Sequence, residues 1–166
     1  PEYIKMIEYK TAVLVGAAMQ MGAVVAGASI EDQKKVYDFG KNLGIAFQLQ
    51  DDYLDAFGDP KLFGKQVGGD IIENKKTYLF LKAMELGTET CKTNLKHLFS
   101  EESNSSDQKV AQVLTLFEES GAAHATKTAI EDYTKQAFHV LEQLHIEASK
   151  KQRLKAFGSQ LMNRAS

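Results

Sequence analysis

The hydrophobic positions of this chain recur with helical spacing along almost its whole length. In the clearest segment, residues 30–57, the apolar residues Val36, Leu43, Phe47 and Leu54 are four and seven positions apart. Such spacing places side chains on one face of an α-helix, whereas the alternation typical of strands is scarce here. The pattern therefore predicts an all-α protein without strands.

Capping residues and glycines divide this pattern into separate helices. Ser29 followed by Asp32 resembles a capping box at the start of the second helix, and Gly58-Asp59-Pro60 ends that helix. A glycine-rich loop then runs to Asp70, and residues 101–106 read as a polar surface loop. The predicted helices cover residues 4–28, 29–57, 73–86, 89–99, 107–119, 122–145 and 151–163.

The first predicted helix is apolar on nearly every side. Only Gln20 and Ser29 interrupt residues 12–30, so a membrane span has to be considered. Because its Ala, Gly and Val are weakly hydrophobic, we expect instead a central helix buried in a water-soluble protein. The pairs Ala18/Gly22 and Ala23/Gly27, each four residues apart, predict close approach of another backbone.

Composition and charge narrow the possible functions. A chain of 166 residues suits one globular domain, and a net charge of -2 offers no basic surface for nucleic acid. The single cysteine, Cys91, cannot form an internal disulfide, so we expect a buried, inert thiol and a cytoplasmic location. The four histidines have no spacing typical of a zinc site.

An acidic face on the second helix carries the candidate chemistry. At about 100° per residue, Gln48, Asp51, Asp52 and Asp55 fall within an arc of roughly 100°. Clustered carboxylates repel one another unless a cation lies between them, and they suit Mg²⁺, whose coordination substrate phosphates often complete. A bare Asp-Asp-x-x-Asp also occurs as a solvated acidic turn. The lysines and glycines that follow favour a metal site with a phosphorylated ligand.

Two lysines are candidate phosphate contacts. Lys65 lies in the glycine-rich loop, where the backbone can approach an anion closely, although a solvent-exposed lysine is as good an interpretation. Lys10, followed by Thr11, lies in the apolar first helix and needs either a partner or a wet cavity. A surface lysine with an extended side chain explains Lys10 equally well.

Taken together, these motifs resemble the trans-isoprenyl diphosphate synthases, also called polyprenyl synthetases, and in particular the short-chain members that make farnesyl and geranylgeranyl diphosphate. The matching segments are Lys10-Thr11 and residues 47–55, 57–59, 64–65, 68–71 and 74–77. Their order and spacing match together, which is more specific than any one motif. The resemblance implies a helical bundle of the isoprenoid synthase type, of which residues 1–166 would be the C-terminal portion of a single domain.

The resemblance also implies roles for individual residues. Asp51, Asp52 and Asp55 look like the second aspartate-rich motif, which holds Mg²⁺ against the diphosphate of the allylic substrate. Two further substrate-binding positions, which shape or close the site, are matched by Asp70 and Lys75.

Four catalytic positions complete the implied site. Lys10 and Lys65 look like contacts to the allylic diphosphate. Thr11 and Gln48 look like groups near the carbocation that forms as the diphosphate leaves. Ionisation of an allylic carbon leaves a diphosphate anion, and Mg²⁺ with lysines would stabilise that charge.

By this resemblance, the expected function is a prenyltransferase that condenses isopentenyl diphosphate with an allylic diphosphate, as a homodimer in the full-length protein. The first aspartate-rich motif and the basic residues that bind isopentenyl diphosphate have no counterpart here, so we expect this chain alone to be inactive and to self-associate. A non-catalytic regulatory subunit or a helical interaction module of a prenyltransferase complex stays open. A class I terpene cyclase would need a mixed Asn/Asp, Ser/Thr and Glu motif, which this chain lacks.

Overall fold

The computed structural model describes residues 2–59, 67–100 and 106–163, and within those ranges it is helical and contains no strand. The predicted all-α class is confirmed. The helices are α1 (Glu2–Ile7), a π-helical turn (Glu8–Ala12), α2 (Val13–Val25), α3 (Ile30–Phe57), α4 (Gly69–Ile72), α5 (Tyr78–Leu86), α6 (Glu89–Leu98), α7 (Ser106–Glu119), α8 (Ala122–Glu142) and α9 (Ala148–Met162).

The chain divides into two compact units, and each has its own hydrophobic core. Among the described residues, the first unit comprises 2–48 and 129–163, and the second comprises 49–128. The first core includes Val36, Phe39, Leu43, Ala137, Leu141 and Leu144. The second includes Leu79, Ala83, Leu95, Val113 and Phe117. The assignment of 1–166 to one domain stays a prediction.

Close packing within the first unit depends on glycines of α3. A Cβ at Gly44 would lie 2.7 Å from the Ala12 Cα, and a Cβ at Gly40 would lie 3.0 Å from the Gly16 Cα. No real Cβ tolerates the first of these distances, so α3 approaches the π-helical turn and α2 this closely only because both positions are glycine. This contact places residue 48, one turn after Gly44, beside the π-helical turn.

The close approach of another backbone was predicted at Gly22 and Gly27, and this prediction is wrong. A Cβ at Gly22 or Gly27 would meet nothing within 4 Å. Helix α2 is also not buried, because Leu14, Met21 and Val25 are exposed and Gly16 is its one buried residue. An all-round apolar helix does not reveal which of its faces is covered. Along the described residues, none of the helices is long and apolar enough to cross a membrane.

Several boundaries differ from the predicted ones. The predicted helix 73–86 begins only at Tyr78, because Asn74 has a φ of 56° in the left-handed region and Thr77 is extended as the N-cap residue. The predicted glycine-rich loop ends in the short helix α4. At the other end of the chain, α8 stops at Glu142 instead of residue 145, and α9 begins three residues earlier than predicted.

Two local predictions are confirmed. The Asp32 backbone N–H donates to the Ser29 Oγ at 3.1 Å, and the Ser29 hydroxyl donates to an Asp32 carboxylate oxygen at 2.9 Å, as expected of a capping-box start. Cys91 is buried, and burial raises the pKa of its thiol. A buried neutral thiol is a poor nucleophile, as the sequence analysis expected.

Candidate functional site

Within the first unit, the structure brings Thr11 and Gln48 together. The Thr11 hydroxyl donates a hydrogen bond to the Gln48 Oε1 at 3.2 Å, between residues 37 positions apart. Thr11 lies in the π-helical turn Glu8–Ala12. Such wide turns inside α-helices are frequent at functional sites, because the extra residue redirects the side chains. The fold thus brings two predicted site residues from distant parts of the sequence into direct contact.

Lys10 occupies the same π-helical turn and is exposed. An exposed side chain is accessible to an anionic ligand and does not have to leave a buried ion pair to reach it. The exposed position fits a surface lysine and a contact to an anionic ligand alike, so the role of Lys10 as a diphosphate contact stays a prediction.

The three predicted metal ligands lie on the part of α3 that belongs to the second unit. Asp52 is 5% exposed, whereas Asp51 and Asp55 are half-buried. Across the described part of the chain, no three His, Cys, Asp or Glu side chains lie close enough together to hold a metal ion. The aspartates therefore do not form a closed cluster here.

Asp55 is the carboxylate whose surroundings are best defined. Its Oδ2 accepts the Asp70 backbone N–H at 2.8 Å, and its main-chain carbonyl accepts the Gly68 N–H. Burial raises the pKa of Asp55, although the Asp70 N–H opposes this shift. The ionised form is therefore disfavoured by its surroundings, which is the situation that a nearby cation would relieve.

Gly68 makes this contact possible. Its φ of 84° lies in the left-handed region, and a Cβ there would lie 2.8 Å from both Cγ atoms of Val110. Backbone conformation and packing on α7 therefore both require glycine. Gly68 of the predicted loop therefore helps to bring Asp70 to the end of α3.

Asp70 also contacts Lys75, the other residue predicted to shape the site. The Lys75 Nζ lies 2.8 Å from the Asp70 Oδ1 and 2.7 Å from the Glu73 Oε2. These two hydrogen bonds raise the pKa of Lys75. The ammonium stays charged at any physiological pH, and it lies on an exposed loop from which it can exchange one anionic partner for another.

Sequence reasoning missed one residue that supports this loop. Lys109, on α7, is 5% exposed, and its ammonium donates a hydrogen bond to the side-chain oxygen of Asn74. It also lies 5.6 Å from the centre of the Phe99 ring. A signal was available, since Lys109 precedes the core residues Val113 and Phe117 at spacings of four and eight. A lysine at a core position of a helix needs a partner.

The remaining predicted residue, Lys65, lies outside the described residues together with Gly64. Its assignment as a diphosphate contact stays a prediction, as do the metal and substrate roles of the other site residues.

This chain is similar to known proteins in both sequence and structure. Residues 1–117 match the Polyprenyl synthetase family. A short chain isoprenyl diphosphate synthase of Methanothermobacter thermautotrophicus is 38% identical over 144 residues, which cover 86% of this chain and 43% of that protein. The chain thus spans about half the length, or less, of the relatives it matches.

Two solved structures are similar over nearly the whole chain. A geranylgeranyl pyrophosphate synthase is 52% identical, with a TM-score of 0.91, and covers 100% of this chain and 52% of its own. The polyprenyl synthase from Caulobacter crescentus CB15, solved in complex with calcium and isoprenyl diphosphate, is 29% identical with a TM-score of 0.85. It covers 98% of this chain and 49% of its own.

Proposed function

Since this chain belongs to the polyprenyl synthetase family, we propose that it is the C-terminal part of a transferase that condenses isopentenyl diphosphate with an allylic diphosphate. The product is a short-chain isoprenyl diphosphate, in keeping with the names of the Methanothermobacter relative and of the geranylgeranyl pyrophosphate synthase structure. The enzyme acts as a cytoplasmic homodimer. The observation that carries the proposal is the acidic end of α3, with Asp70 held against it.

Asp51, Asp52 and Asp55 are the residues that would hold a divalent cation, and Mg²⁺ is the expected one. Their carboxylate oxygens are the ligands that Mg²⁺ prefers, and burial raises the pKa of Asp55, a shift that a bound divalent cation would counter. The Caulobacter relative was solved in complex with calcium and isoprenyl diphosphate, which supports a divalent cation in the proposed reaction. When bound, Mg²⁺ supplies positive charge where the diphosphate leaves.

Thr11 and Gln48 stabilise the positive charge that forms on the allylic carbon. The Thr11 hydroxyl hydrogen is committed to Gln48, so the lone pairs of the Thr11 oxygen are directed elsewhere and can face a cationic carbon. These dipoles are fixed before the reaction by the close packing of α3, and they therefore need little reorganisation as charge develops. Lys10 and Lys65 contact the departing diphosphate.

Lys75 and Asp70 close the site when substrate binds. In the present structure the Lys75 ammonium is shared between Asp70 and Glu73 on an exposed loop. A diphosphate is a stronger partner for a lysine than an exposed carboxylate, because it carries more charge on more oxygens. Transfer of Lys75 to the diphosphate would release Asp70 and draw the loop of residues 73–77 over the substrate.

The test is the turnover of Asp52→Asn in the full-length protein, measured as transfer of labelled isopentenyl diphosphate onto an allylic diphosphate. Asparagine keeps the shape of the side chain and removes its charge, so we expect a loss of about a hundredfold or more in turnover. The matched control is Asp107→Asn, an exposed aspartate on α7, which should leave turnover unchanged. Normal turnover by folded Asp52→Asn would refute the site.

A further inference from the structure

The first unit contains a cavity that none of the proposed catalytic residues lines. Its volume is about 360 Å³, and it lies among α2, the beginning of α3 and α9. Its walls are formed mainly by apolar side chains, which include Met19, Ala23, Val36, Ile146 and Leu154. All five belong to the hydrophobic core of this unit or pack against it. The cavity is thus an opening into the edge of that core.

The remaining lining residues give the cavity a charged rim. Lys150 and Arg153 of α9 both line it, and both side chains are exposed. The helix that carries them contains four basic residues, Lys150, Lys151, Arg153 and Lys155, and no acidic one. Lys151 and Lys155 are ion-paired with Glu142, and the Lys150 ammonium lies 3.8 Å from Glu147. The basic side chains that line the cavity itself are those of Lys150 and Arg153.

One carboxylate, that of Asp32, also lines the cavity, but its oxygens are already used. It accepts hydrogen bonds from the Ser29 hydroxyl at 2.9 Å and from the His145 backbone N–H at 3.0 Å. These donors lower the pKa of Asp32, the His145 N–H most strongly. The lowered pKa keeps Asp32 ionised at neutral pH, so the charged lining residues are two cations and one anion, and the anion is already hydrogen-bonded within the protein.

We propose that this cavity binds a single-chain amphiphilic anion, with the hydrocarbon chain in the apolar cavity and the phosphate or carboxylate head at Arg153 and Lys150. The volume is within the usual range of about 300–1,000 Å³ for small-molecule sites. Apolar walls favour a hydrocarbon chain, because the chain and the half-buried side chains are both removed from water. Two cations at the mouth favour an anionic head.

This site is distinct from the pair formed by Thr11 and Gln48. Gly22, which lines the cavity, lies eleven residues after Thr11, or about 16 Å along the helix axis. The proposal therefore stands or falls independently of the catalytic assignment. An isoprenoid phosphate and a fatty acid both have a hydrocarbon chain and an anionic head group. The experiment below distinguishes between these two ligands.

Gly22 provides a direct test, because a Cβ at this position meets nothing within 4 Å. Because Gly22 lines the cavity and a side chain there has open space, we expect the leucine of Gly22→Leu to take up part of the cavity volume. Alanine at the same position fills little of it and serves as the matched control. Leucine and alanine both have a higher helix propensity than glycine, so both variants are expected to fold. Ala26→Leu, at another lining residue, is a second filling variant.

The measurement is isothermal titration calorimetry with dodecyl phosphate, below its micelle concentration, in EDTA so that no divalent cation takes part. We expect saturable binding with one molecule per chain, and weakening by about tenfold or more in Gly22→Leu, equivalent to about 1.4 kcal/mol. The double variant Lys150→Gln/Arg153→Gln should weaken binding about fivefold or more, because it removes the charge-assisted contacts to the head. Gly22→Ala and Lys96→Gln, at an exposed lysine of α6, which contributes no lining residue to the cavity, should stay within about twofold of the unmodified chain.

Two further probes separate the sources of the ligand. Tighter binding of farnesyl phosphate than of dodecanoate assigns the site to isoprenoid anions, and the reverse order assigns it to fatty acids; either result supports the proposal. Absence of saturable dodecyl phosphate binding would overturn it. So would unchanged affinity in folded Gly22→Leu and Ala26→Leu, or equal affinity for inorganic phosphate, which has no chain to bury.

Discussion

Replacing Gly44 by alanine perturbs the contact that positions Thr11 beside Gln48. The added Cβ would lie 2.7 Å from the Ala12 Cα and 3.0 Å from the Ala12 Cβ, so α3 or the π-helical turn has to move. Overpacking of this kind costs about 1–3 kcal/mol, and alanine recovers roughly 0.5–1 kcal/mol of helix propensity over glycine. We therefore expect the free energy of unfolding to fall by about 1–2 kcal/mol.

The matched control is the same substitution at Gly22, where the added Cβ meets nothing within 4 Å. Gly22→Ala should raise the free energy of unfolding by roughly 0.5–1 kcal/mol, because only helix propensity changes. Urea denaturation followed by far-UV circular dichroism measures both. In the full-length protein, Gly44→Ala should also lower turnover, since the π-helical turn carries Thr11. If Gly44→Ala were as stable as Gly22→Ala, the close packing described here would be wrong.

Three further predictions address other parts of the chain. Lys109→Met removes the donor that holds Asn74 and should lower turnover of the full-length protein about tenfold, because it loosens the loop that carries Lys75. The control is Lys96→Met, at an exposed lysine of α6, and equal turnover of the two variants would contradict this role. Asp32→Asn should destabilise the protein at neutral pH. The pKa of Asp32 is lowered in the folded state, so the contribution of its carboxylate to the free energy of unfolding is complete above the unfolded pKa of about 3.9 and is lost as the pH falls through the folded pKa. If the difference in the free energy of unfolding between the unmodified protein and Asp32→Asn did not change on acidification, this role would be contradicted. The isolated 166-residue chain should self-associate through the exposed apolar side chains of α2, and a monomer by analytical ultracentrifugation would refute this expectation. The isolated chain should also not condense the two substrates, and turnover equal to that of the full-length protein would refute that expectation.

The sequence pattern was sufficient wherever a helix has one apolar face. The stripe on α3 shows this, because Val36, Leu43 and Leu54 are buried and Phe47 is half-buried. The start of α3 was also predictable from Ser29 and Asp32, since a capping box depends only on residues three apart. Family membership followed from several short motifs in a fixed order, and the comparison over residues 1–117 confirms it.

The sequence was insufficient where a contact between distant segments decides the local structure. The residues of the π-helical turn Glu8–Ala12 do not themselves predict its geometry, because this geometry accompanies close packing against Gly44 of another helix. On α2, apolar residues lie on every side, so periodicity could not indicate which glycine faces α3. The left-handed Asn74 is held by Lys109 from a helix that begins about thirty residues later, and this contact interrupts the helix predicted from residue 73.

The central claim is that the acidic end of α3 holds a divalent cation against an allylic diphosphate. The most direct test is calorimetric affinity of the full-length protein for a non-ionising thiodiphosphate analogue of farnesyl diphosphate, with Mg²⁺ and with EDTA. We predict binding about a hundredfold tighter with Mg²⁺ in the unmodified protein, and most of that difference lost in Asp52→Asn. Equal affinity in Mg²⁺ and EDTA, or an undiminished Mg²⁺ effect in folded Asp52→Asn, would contradict the account.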